Sequence, residues 1–252
     1  MKDTMSLVAM QNYQGSFPTP NDFHEFWDQQ LASLEIPTKK LTPLDFKIPQ
    51  VECYSLTFPG TNHGQVYAKC LFPKSEKPVP TIFYFHGYMG RSPDWATLLS
   101  LTAGKAGVVA MDVRGQAGRS LDHATFDGIT VKGQVIRGAT KGPKHLFFKD
   151  IYLDVYSLIE LVAQLPQVDE TKLYSYGGSQ GGALALVASA LDQRIQQTIA
   201  IYPFLGDFKR VLELGNHSEA YDELFRYFKF SDPFHKTETK LMETLAYIDI
   251  KN

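Results

Sequence analysis

The chain predicts an α/β fold on a mainly parallel sheet, and three observations carry that expectation. Thr81–Phe85, Gly107–Met111 and Thr198–Tyr202 are unbroken, largely apolar runs of strand length, the pattern of strands buried on both faces. Helical segments separate them, and strands alternating with helices build parallel sheets. Ahead of them, Val51–Phe58 and Gln65–Phe72 flank a Gly60-Thr61-Asn62-His63-Gly64 turn, which predicts an antiparallel hairpin at one edge.

Taken in order, Thr19-Pro20-Asn21-Asp22 caps an amphipathic helix bearing Phe23, Phe26, Trp27, Leu31 and Leu34. The hairpin follows. Cys53 and Cys70 are symmetric about the same turn as Phe58 and Gln65, so a hairpin in that register sets them opposite one another. Two reduced core thiols and a cross-strand disulfide are both open at this point. After the first buried strand, Ser92-Pro93-Asp94 starts a helix running to about Ala103, with Pro at its first position. The second buried strand ends in Asp112-Val113-Arg114-Gly115-Gln116.

Residues 117–148 carry five glycines and little periodicity, and an irregular stretch of that length is usually functional or interfacial. A helix then places Ile151, Val155, Leu158, Ile159 and Val162 on one face and is closed by Pro166. The strand Lys172–Tyr176 runs into Gly177-Gly178-Ser179-Gln180-Gly181-Gly182 and a small-residue helix, Ala183–Leu191. From Gly206 onward the pattern is helical and charged.

The 252 residues hold 25 Lys+Arg against 27 Asp+Glu, a formal net charge of −2 that offers neither nucleic acid nor an anionic membrane a basic surface. No apolar run approaches the roughly 18 residues of a membrane span. The early Asp3 and short apolar stretch at the N-terminus do not make a signal peptide, so a cytoplasmic protein is expected. No Gly-Lys-Ser/Thr, Gly-x-Gly-x-x-Gly, His-x-x-x-His or Cys-x-x-Cys pattern stands where a nucleotide or metal needs it, so no cofactor and no metal are expected.

In parallel sheets ligands bind at the carboxyl ends of the strands. Those ends carry His86-Gly87-Tyr88, Arg114-Gly115-Gln116, Gly178-Ser179-Gln180 and Tyr202-Pro203-Phe204. Gly177-Gly178-Ser179-Gln180-Gly181 between a strand and a helix has the form of a nucleophile elbow, with Ser179 as nucleophile and Gly177, Gly178 and Gly181 making room. The bland alternative is a glycine-rich packing turn with Ser179 as a helix N-cap. An oxyanion hole needs the N–H after the nucleophile and one from an earlier loop, here Gln180 and Tyr88. His86 reads as a packed, hydrogen-bonded histidine, and Pro203 and Phe204 as substrate-pocket residues.

Arg114-Gly115-Gln116 and Gly177-Gly178-Ser179-Gln180-Gly181 resemble two signature motifs of the acetyl xylan esterase/cephalosporin C deacetylase family. Pro20, Phe23, Phe26 and Trp27, together with Phe85-His86-Gly87-Tyr88 and the 117–148 insertion, extend the resemblance along the chain. It implies a three-layer α/β-hydrolase domain over residues 1–252, with a helical extension at 1–50 and a helical cap segment at 205–252. It also implies a cofactor-free serine deacetylase of acetylated sugars, and a homo-oligomer, typically a hexamer. In that family Arg114-Gly115-Gln116 would be structural.

A triad in this fold runs Ser, then Asp/Glu, then His, on loops after later strands. After Ser179 one further strand is legible, and the only later histidines are His217 and His235, both in the charged helical segment. The sequence therefore predicts a sheet that stops after its sixth strand, with an exposed apolar edge and the acidic and histidine partners beyond Asn252. Three functions stay open: a deacetylase, a peptidase or dienelactone-type hydrolase, and a remnant that binds acyl ligands or intact subunits without turnover.

Overall fold

A computed structural model of the chain describes residues 5–126, 134–215 and 217–252. The expected insertion at 117–148 lies partly outside them. In chain order the elements are α1 (Leu7–Gln11), α2 (Phe23–Ala32), β1 (Lys40–Leu44), β2 (Val51–Pro59), β3 (Gln65–Pro73) and β4 (Val79–Phe85). Next come α3 (Trp95–Leu101), β5 (Gly107–Asp112), α4 (Phe147–Ala163), β6 (Val168–Gly178), α5 (Gln180–Leu191) and β7 (Ile195–Ile201). The last helices are α6 (Phe208–Leu214), α7 (Asp222–Arg226) and α8 (Glu238–Leu245). None of the described helices is long and apolar enough to cross a membrane.

The chain divides into two compact units, one of residues 30–125 and 150–204, the other of residues 1–29, 126–149 and 205–252. The first holds a seven-stranded mixed sheet in the order β1-β2-β3-β5-β4-β6-β7. Pairings β1–β2, β2–β3 and β3–β5 are antiparallel, and β4–β5, β4–β6 and β6–β7 are parallel. Helices lie on both faces of the sheet, although β7 leaves Ile199 exposed on the face that carries Ala110. Leu98 of α3 packs on the face that carries Cys53, Leu71, Val108 and Ala110. Successive strand residues alternate faces, and Ser175 of β6 points the other way, donating its hydroxyl to the Ala185 carbonyl of α5 at 2.9 Å. The three layers expected of the fold are therefore α3, the sheet and α5.

Three expectations are corrected. The strand β1 lies inside the stretch expected to be a helical extension, so the Ile195–Ile201 strand is the seventh rather than the sixth. Its five residues include Pro43 and Lys40, which suit an outer strand but hide the strand signal. The hairpin turns through a three-residue loop, Thr61-Asn62-His63, with Asn62 and His63 at φ 49° and 62° and Gly60 bonded to Gly64. That shifts the register by one: Cys53 faces Leu71 and Tyr54 faces Cys70. A slip of one residue puts the two thiols on opposite faces; both are free and buried. Finally, Asp94 rather than Ser92 caps α3, its carboxylate accepting the Ala96 and Thr97 N–H groups. Pro93 thus precedes the cap.

The other unit gathers α1, α6, α7, α8 and the segment 134–149. Phe26 packs against Tyr247 with ring centroids 4.7 Å apart and planes tilted by 58°, and the Tyr247 carbonyl accepts the Trp27 indole N–H at 3.0 Å.

Candidate active site

Ser179 stands alone between β6 and α5, at φ 55° and ψ −120°. A non-glycine residue at positive φ is strained, and here backbone bonds hold it in place. Its N–H donates to the Ile201 carbonyl at the end of β7, and its carbonyl accepts from Phe204 N–H, both at 3.0 Å. Although Ser179 occupies the N-cap position of α5, its side chain makes no capping hydrogen bond. The packing-turn alternative gave the hydroxyl that job; it does not have it.

The glycines around Ser179 differ in purpose. A β-carbon on Gly181 would stand 2.0 Å from the Phe85 carbonyl oxygen, and one on Gly177 would stand 2.3 Å from the Gly181 backbone. These two permit the helix start to pass against β4. Gly178 has open space, its nearest neighbour for an added β-carbon being the Tyr202 hydroxyl at 3.7 Å.

The loop after β4 supplies the second part. His86 is buried, with Nδ1 2.8 Å from the Gly87 carbonyl and Nε2 accepting the Val113 N–H at 2.9 Å. That pattern requires a neutral ring protonated at Nδ1, and burial lowers the affinity of His86 for a second proton. His86 is thus the packed, hydrogen-bonded residue expected. Tyr88 follows it, its ring 6.0 Å from that of Phe204. Pro203 is exposed, whereas Phe204 is buried.

Gln180 begins α5 and is wholly buried. Its side-chain amide forms a closed pair with that of Gln116: Gln116 Nε2 donates to Gln180 Oε1 at 2.7 Å and Gln180 Nε2 donates back at 3.0 Å. Sequence reasoning missed this pair, since spacing alone gives no sign that two glutamines sixty-four positions apart meet. Two residues earlier, Arg114 makes a bidentate pair with Asp154 at 2.5 and 2.6 Å and donates to the Thr61 carbonyl at 2.6 Å. Arg114 therefore pins the hairpin turn to α4, a structural role. Burial lifts the Asp154 carboxyl to about 6 and Arg114 opposes the rise.

The two late histidines belong to the other unit. His217 stacks on Phe225 with ring centroids 3.8 Å apart. His235 stacks on Phe228 at 4.3 Å, and its Nδ1 lies 2.5 Å from Glu238 Oε2. Among the described residues no group of three or more His, Cys, Asp or Glu side chains is arranged to hold a metal ion.

A mixed sheet with helices on both faces, and a serine on a strained strand-to-helix turn at a strand's carboxyl end, define an α/β-hydrolase. Within that class, the chain belongs to the acetyl xylan esterase (AXE1) family, whose family model matches residues 1–252. It is similar to acetyl xylan esterase 1 of Thermoanaerobacterium sp. JW/SL YS485, at 38% identity and a TM-score of 0.92, over 98% of this chain and 78% of that one. It is also similar to the acetyl xylan esterase of Paenibacillus sp. R4, at 29% identity and a TM-score of 0.89, over 98% and 79% of the two chains. The acetyl esterase Axe7A of Xylanibacter ruminicola is 26% identical over 92% of this chain, which spans about half, 53%, of that protein's length.

Proposed function

We propose that this chain carries the acylation half-site of a serine carboxylesterase that removes acetyl groups from acetylated xylo-oligosaccharides, cephalosporin C and small acetyl esters. The observation that carries the reading is Ser179, held on the strained turn with its hydroxyl unused for capping. In this reading Ser179 Oγ attacks the acetyl carbonyl carbon as a general base takes its proton. The Gln180 and Tyr88 N–H groups hold the resulting oxyanion, helped by the positive end of α5. Collapse breaks the ester C–O bond, and the proton passes to the departing sugar oxygen. Water then attacks the acetyl-serine, releasing acetate and restoring the hydroxyl. The acetyl esterase and acetyl xylan esterase names of the relatives support an acetyl ester over a peptide as substrate.

The test is hydrolysis of p-nitrophenyl acetate by residues 1–252 beside the Ser179→Ala variant, with a peptide p-nitroanilide as counter-substrate. Serine-dependent acetate release would support the reading and mean that a working base lies within the chain. Equal rates in the two proteins would mean an elbow without a base and favour acyl binding without turnover. Faster anilide cleavage would favour a peptidase.

A further inference from the structure

The segment after β5 does more than brace the hairpin. Asp112 is buried, and its Oδ1 accepts the Ser92 N–H at 2.7 Å while its Oδ2 accepts the Arg119 N–H at 2.8 Å. Val113 N–H donates to His86 Nε2 at 2.9 Å, and Ala117 N–H donates to the Gly90 carbonyl at 3.2 Å. Three of these bonds grip the 86–92 loop, which contains Tyr88. From the same segment Gln116 reaches the other way and closes its double amide bond with Gln180. One short stretch thus holds both backbone groups assigned to the oxyanion hole, from two sides.

We propose that Gln116 is a positioning residue for the oxyanion hole, acting through Gln180. A single hydrogen bond leaves an amide free to swing, whereas two opposed bonds fix its plane and so the χ angles of Gln180. Gln180 is the first residue of α5 and lies wholly within the protein, so its side chain and its backbone N–H move together. An oxyanion donor acts by being aimed before charge develops, and losing one costs about 10²–10³-fold in rate. Misaiming one should cost less than losing it. The proposal rests on Ser179 acting as nucleophile, and its test separates the two.

The variants are Gln116→Met, which keeps the length of the side chain and removes the amide, Gln180→Met, and the double variant. With p-nitrophenyl acetate, Gln116→Met should lower kcat by about 10- to 100-fold and leave KM within about twofold. The double variant should be no slower than the slower single, because both remove the same pair. An unchanged kcat in folded Gln116→Met, a rise in KM that accounts for the loss, or additive losses in the double variant would each overturn the proposal. Hydrogen exchange at the Gln180 and Gly181 backbone amides reads the positioning without turnover. It should quicken at least tenfold in Gln116→Met, and unchanged exchange overturns the proposal even if wild-type protein proves inactive. Inactive wild type with quickened exchange would sink the esterase reading and leave the positioning standing.

Discussion

Gly181 and Gly178 flank the same serine, yet only one has to be glycine. A β-carbon on Gly181 meets backbone at 2.0 Å, whereas on Gly178 it meets nothing nearer than 3.7 Å. Gly181→Ala should therefore lose about 1–3 kcal/mol of unfolding free energy, the range for forced overpacking, and Gly178→Ala under about 1 kcal/mol. Urea unfolding of the two variants beside wild type checks the contrast, and equal losses would refute it. The motif itself was legible, because Gly-x-Ser-x-Gly after an apolar strand announces a close crossing. Which of its glycines does the steric work was not, since that depends on Phe85, almost a hundred positions away in sequence. The cysteines show the same limit. Gly60-Thr61-Asn62-His63-Gly64 admits two registers of opposite facing, and only the backbone conformation of Asn62 and His63 chooses between them.

Among the elements, α7 carries an unusual acid. Glu223 is buried, its Oε2 has no hydrogen-bond partner among the described residues, and burial pushes its carboxyl up to about 8 against the opposing pull of Arg137 and the Ile136 N–H. An unfolded glutamate titrates near ~4.3, so the fold favours the neutral form. The stability this gives is complete below that value and is lost as pH rises through about 8. Wild type should thus melt lower at pH 9 than at pH 5, and Glu223→Gln should remove that part of the fall. At pH 9 the variant should be the more stable by about 1–3 kcal/mol; parallel melting curves at both pH values would refute this. Helical character from residue 206 onward was legible from composition and patterning. The burial of Glu223 was not, because a charged residue on a polar-looking helix reads as solvated. Nor was β1, whose Pro43 argues against a strand unless the strand lies at an edge.

For the whole molecule, the two ends of the sheet are guarded differently. The strand β1 presents Lys40 and Pro43, the residue types that blunt an edge. The strand β7 carries neither charge nor proline and, among the described residues, pairs with β6 alone, leaving Ile199 60% and Ile201 36% exposed. Ile199→Lys should suppress concentration-dependent light scattering while changing unfolding free energy by no more than about 0.5 kcal/mol. Unaltered scattering would show that this edge does not drive association. The sheet's class and the exposed apolar edge were both legible, since buried strands are written as continuous apolar runs. The strand order was not, for it rests on contacts between distant segments. That order also has a kinetic meaning. The serine turn, the 86–90 loop and the Gln116 segment converge only once β4 is flanked by β5 and β6, and Thr81 must find Leu173 across a loop of roughly ninety residues. The hairpin β2–β3 can close early because its contacts are local. The pocket around the serine turn, where an oxyanion hole is proposed, is therefore a late product of folding, absent from any intermediate with only the antiparallel strands in place. By the same linkage, a ligand that fits the finished pocket holds the entire sheet shut.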